Sequence, residues 1–121
     1  MNAQYRIAPG ANVDRTGRVG QVVITPAKLV QQFGAPGAGE GYKVSGEFRF
    51  TDGGNDVFTV YDWKATSLYY EDDADRQSNG RPKPADFWSS QVPCTLNIGG
   101  RRGTAKIEQF KRWLLAVVES A

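Results

Sequence analysis

The stretch NIGGRRGTAK, residues 97–106, concentrates the residue types in this chain that could do chemistry. Gly99, Gly100 and Gly103 would let the backbone turn sharply and bare consecutive amides. Arg101 and Arg102 add fork-shaped donors, and a helix starting just beyond contributes partial positive charge. With Asn97 at its entrance, the segment predicts a cradle for phosphate or carboxylate. The spacing matches neither a Lys-Ser/Thr phosphate loop nor Gly-x-Gly-x-x-Gly, so a tight turn with solvated arginines stands as the alternative. A second cluster, VYDWKATSLYY, supplies Tyr61, Trp63, Tyr69 and Tyr70, to which Trp88 and Trp113 add indoles. Rings beside a cation such as Lys64 suit stacking on nucleobases, while core packing or an oligomer interface is the competing use. In strand period Asp62 and Lys64 share a face with Phe58 and Val60, as a rim ion pair or the floor of a polar pocket.

What is missing narrows the chemistry. The chain has no histidine and a single cysteine, Cys94. Histidine-assisted nucleophiles, disulfide frameworks and thiolate metal clusters are therefore closed. The acidic run Glu71, Asp72, Asp73 and Asp75 lacks the glycine and spacing of a calcium loop, so no metal and no cofactor is expected. Nothing in the pattern holds two carboxylates in a cleft for hydrolysis. The net charge is +2 but unevenly placed, acidic at 71–75 and basic from Arg101 to Arg112, which suggests one anion-facing end. No apolar run reaches the roughly 18 to 20 residues of a membrane span, and the first residues lack a signal-peptide core, so a cytoplasmic protein is expected.

The elements that must position these residues form an α+β domain. At 121 residues the chain suits one core. Residues 1–20 show no period and predict a flexible arm, apart from a short strand at 5–7, leaving 21–121 as the domain. TPAKLVQQFG predicts a short helix, with Thr25 as N-cap, Pro26 at the first position and Gly34 as the stop. Alternation over 43–51 gives a half-buried strand, TDGGND a hairpin turn, and VFTVYDWKA a return strand apolar on both faces. Residues 70–84 predict a mobile loop. PADFWSS makes a helical turn dropping Phe87 and Trp88 onto the sheet, 95–98 a strand with Leu96 and Ile98 inward, and 104–119 a long amphipathic helix. The sum is an antiparallel sheet of about four or five strands, packed against a long C-terminal helix and a short N-terminal one. The long helix covers one face only; the other calls for the short helix, a ligand or a second subunit, and so for a homo-oligomer.

FGAPGAGEGYKVSGEFRFTD, VFTVYDWKATSLYY and LNIGG together resemble small uncharacterised proteins of tailed bacteriophages, over roughly residues 22–118. That resemblance implies a viral setting, where a small histidine-free domain is more often an inhibitor or sequestering protein than an enzyme. The leading expectation is a non-enzymatic counter-defence protein capturing an anionic nucleotide-like signal. Arg101, Arg102, Gly99 and Gly100 would hold phosphate, Trp63 or Tyr61 would stack the base, and Lys64 would complete the charge match. The rivals are an inhibitor gripping a basic host protein through the acidic run at 71–75, and a single-stranded nucleic-acid binder.

Overall fold

The computed structural model describes residues 5–54, 56–69, 80–101 and 106–119. Among them the elements run β1 (Arg6–Ile7), β2 (Thr16–Ile24), α1 (Pro26–Phe33), β3 (Gly37–Ala38), β4 (Gly46–Thr51), β5 (Val57–Tyr61), α2 (Pro84–Trp88), β6 (Cys94–Arg101) and α3 (Ile107–Glu119). Every pairing is antiparallel, in the order β1-β4-β5-β6-β2 with β3 also on β4. The protein is α+β, as its hydrophobic pattern predicts. β1 falls within the short strand expected at 5–7, whereas β3, only two residues long, leaves no period, and six strands stand where the pattern indicates four or five.

One face of the sheet carries the core. Phe48 and Phe50 of β4 lie beside Val60 and Phe58 of β5, and Ile98 of β6 beside Val60, with Leu96 opposite Val22 of β2. α1 and α3 both pack on this face. Phe110, Leu114 and Val118, at helical spacing, are fully buried, and the Phe110 ring stacks on Phe58 at 4.5 Å. Phe33 of α1 sets its edge on Phe50 at 5.0 Å. Burying each such side chain stabilises by about 1.5–3 kcal/mol, which holds helices too short to stand alone. α1 starts at Pro26 and stops at Gly34 with φ 87°, but the Thr25 side chain makes no cap; its carbonyl receives the Lys28 and Leu29 amides instead.

From residue 5 onward the stretch expected as an arm belongs to the fold. Tyr5 is 4% exposed and packs its ring edge on Phe58 and Phe110. β2 begins at Thr16, and a bulge between Arg18 and Gly20 breaks the alternation that would have revealed it.

The second face has a different cover. The chain leaves β1 beside β4 and enters β2 beside β6, so residues 8–15 must cross the sheet. Four strand spacings of ~4.8 Å make about 19 Å, within the roughly 26 Å that eight extended residues can span. This strap is held from below: Arg49 Nη1 donates to the Ala11 carbonyl at 3.0 Å, and Arg101 donates from Nη2 to Asn12 O at 3.0 Å and from Nε to Asp14 O at 3.2 Å. The cover expected from the short helix, a ligand or a second subunit is thus partly supplied by the chain itself.

Candidate functional site

The glycine corner is not a corner. Gly99 and Gly100 continue β6, with Gly99 opposite Thr59 and Arg18, and Gly100 opposite Gly17. They are glycines because neighbours approach closely. A Cβ on Gly99 would collide with Thr59 Oγ1 and meet the Tyr61 ring at 3.4 Å; one on Gly100 would press on Val19 at 3.2 Å and Phe58 at 3.3 Å. Their amides therefore belong to sheet pairing and form no cradle. Tyr61 lies against Gly99 on the second face, where burial raises its phenol pKa and a side-chain hydrogen bond with Asn97 opposes that rise. Asn97 in turn accepts from Gln21 Nε2 at 3.2 Å. Arg101 sits at the strap as described, and Arg102 and Gly103 lie outside the described residues. Trp88, 6% exposed, belongs to the core: its ring meets Phe48 at 5.7 Å and its Nε1 donates to Ser45 Oγ at 3.1 Å.

Asp62 and Lys64 form neither the rim pair nor the pocket floor. β5 ends at Tyr61, so the strand period does not carry past it. Asp62 is 1% exposed, and its carboxylate accepts from the Ser45 amide at 2.8 Å, the Ser45 hydroxyl at 2.8 Å and the Gly46 amide at 3.0 Å. It satisfies the backbone that enters β4 and pins the β5 exit against it. Beyond it Lys64 adopts φ 58°, left-handed for a residue with a side chain, and donates its amide to Lys43 O at 2.7 Å. Such a conformation costs about 1–2 kcal/mol, so the surrounding contacts must hold it.

That turn assembles the densest meeting of cations and rings among the described residues. Trp63 is 49% exposed, with Lys43 Nζ 5.6 Å and Lys64 Nζ 5.8 Å from its ring centre. Lys64 Nζ is also 5.0 Å from the Tyr69 ring, over which the Arg81 guanidinium lies at 5.1 Å, and Tyr42 packs on Tyr69 at 5.1 Å. The Glu40 carboxylate accepts from the amides of Tyr42, Lys43 and Val44, folding the loop that carries Lys43. These bonds, the one from Val44 foremost, hold Glu40 below its usual carboxylate range. The structure thus joins Trp63 and Lys64, two predicted site residues, with Lys43, Tyr69 and Arg81, while Arg101, Gly99, Gly100 and Asn97 lie elsewhere. Lys43 was within reach of sequence reasoning: extending the β4–β5 register past Glu47 and Tyr61 brings residue 43 near 64.

A half-exposed indole with two ammonium groups near its ring is suited to a flat ring carrying negative charge nearby, since stacking and Coulomb attraction act together. Three protonated groups of the fold are shifted away from ionisation. Burial pushes up the Cys94 thiol and the Tyr5 phenol as it does Tyr61, keeping all three protonated at neutral pH. No group of three or more carboxylate or thiol side chains gathers as a metal site among the described residues, and the acidic run at 71–75 lies outside them. No described helix is long and apolar enough to cross a membrane. No protein-family model and no curated protein matches the chain.

Proposed function

We propose that this is a non-enzymatic binding protein whose working surface is the Trp63 platform, and that its ligand presents a nucleotide unit: a planar base with an adjoining phosphate. The observation that carries this is the half-exposed Trp63 ring flanked at 5.6 and 5.8 Å by Lys43 and Lys64, neither of which has a carboxylate partner among the described residues. A ring left in water costs burial energy that the fold does not recover; Lys43 feels the Glu40 carboxylate only at longer range, and Lys64 has no carboxylate within 4 Å among the described residues. The left-handed Lys64 backbone supports the same reading, because strain of this kind persists where it positions a functional group. The counter-defence role, in which a host signal is captured, rests on the phage resemblance alone. The inhibitor reading through Asp72, Asp73 and Asp75 concerns residues outside the described set.

The test is a fluorescence titration with the dinucleotide dTpdT carrying a 5′-phosphate. Saturable quenching is expected, with Trp63→Ala weakening affinity about tenfold, the equivalent of a stacking loss of about 1.4 kcal/mol. Lys64→Gly should weaken binding while leaving thermal stability unchanged or raised, because glycine accepts φ 58° without strain. Equal affinity in wild type and Trp63→Ala would overturn the reading.

A further inference from the structure

A second basic site lies at the opposite end of β5 from Trp63. Between the strap and the β4–β5 hairpin is a hollow of about 380 Å³ lined by Arg6, Asn12, Thr51, Gly53, Val57 and Arg101, among others. Two guanidinium groups border it. Arg6 reaches over the hairpin, its Nη1 3.3 Å from where a Cβ on Gly53 would be. Arg101 enters from β6 while holding the strap carbonyls. Of the hairpin acids, Asp52 accepts from the amide of Gly54, which also lines the hollow, at 2.8 Å, and Asp56 pairs with Lys106 at 3.7 Å. Asp14, exposed on the strap, is a further carboxylate in this neighbourhood.

From Val57, at the hollow, to Trp63 the chain runs along β5 and just past it, about 20 Å at ~3.3 Å per residue. No mononucleotide can bridge that distance, but about six stacked nucleotides at ~3.4 Å each can. Between the two sites Arg49 lies under the strap, its guanidinium holding the Ala11 carbonyl at 3.0 Å and Glu47 at 2.7 Å, while Arg18, opposite Gly99, is exposed. Trp63, 49% exposed on a turn, suits stacking against one face of a base more than enclosure of a whole ligand.

Resting on the Trp63 reading, we infer that the ligand is a single-stranded nucleic acid whose base stacks on Trp63 and whose backbone reaches the Arg6–Arg101 hollow. Bases on an exposed ring and phosphates on spaced guanidinium groups are the two parts that strand binding without sequence readout requires.

The experiment is a length series of 5′-phosphorylated oligothymidylates of 2, 4, 8 and 12 nucleotides, with an oligouridylate series in parallel. Wild type, Trp63→Ala and Arg6→Ala are compared by fluorescence anisotropy and by thermal melting. Affinity should climb at least tenfold between 2 and 8 nucleotides and then level off. Arg6→Ala should remove most of that climb and reduce the salt dependence for the longer strands while leaving the dinucleotide unaffected. A gain no greater than the statistical increase in sites, or an Arg6→Ala protein that binds 8 nucleotides as wild type does, overturns the inference and leaves the Trp63 platform standing. No binding at any length, or binding indifferent to Trp63→Ala, overturns both. Matching DNA and RNA curves would identify the backbone phosphate as the shared determinant, and selectivity for one would add the sugar.

Discussion

Arg101 and Lys64 were both expected to hold an anion, and the fold uses them in opposite ways. Arg101 lies where an irregular segment crosses the sheet and leaves carbonyl groups without strand partners, so its Nε and Nη2 are engaged by Asp14 and Asn12. Lys64 lies where the chain leaves β5 in a left-handed turn; its ammonium faces the Trp63 and Tyr69 rings. A guanidinium, with five donors in a plane, can hold backbone acceptors on one side and still border a hollow on the other. A lysine over a ring keeps its donors for a ligand. The type of acceptor each cation meets separates scaffold from surface better than charge density does.

The sharpest way to break this contrast is at Asp62, which anchors the platform without being part of it. Asp62→Ala would strip the buried Ser45 and Gly46 amides of their acceptor and should destabilise the protein by about 2–4 kcal/mol in urea unfolding. A loss below about 1 kcal/mol would mean that water replaces the carboxylate and that the turn is held by something else.

Arg101→Ala tests the scaffold half. Removing two charge-assisted bonds at an exposed position should cost about 1 kcal/mol and speed amide exchange across residues 11–16, with the amides of β5 unaffected. If the strap exchanges as before, Arg49 alone holds it and the assignment of Arg101 to the scaffold fails.

The smallest effect belongs to Glu40. Its carboxyl pKa is lowered in the fold by bonds from the Val44, Lys43 and Tyr42 amides, so its contribution is complete above its unfolded pKa and is lost as pH falls through the lower folded value. Amide resonances of Tyr42 to Val44 should shift in acid below pH 4.5, the group's ordinary value, together with loss of ligand affinity as Lys43 is released. Glu40→Gln should remove much of that pH response. Unchanged spectra across this range would show that the loop does not depend on the ionised carboxylate.

Much of the scaffold was legible from residue order because its causes are local. Alternation in GEFRFT marks β4, Pro26 and Gly34 bracket α1, and the spacing of Phe110, Leu114 and Val118 marks the face that α3 buries. The pairing of Trp63 with Lys64 was legible for the same reason, since the two are neighbours in the chain. What escaped was set by crossings. Gly99 and Gly100 look like a turn in sequence, yet in the sheet they are the places where Thr59, Tyr61, Val19 and Phe58 leave no room for a Cβ. Nothing near Arg101 in sequence announces that residues 12 and 14 will pass beside it. Residue order alone determined the fold class and the apolar faces, because hydrophobic period and glycine or proline stops act over a few residues. Tertiary structure alone decided which cations serve the backbone and which meet an exposed ring, because that depends on which distant segments the sheet order brings alongside them.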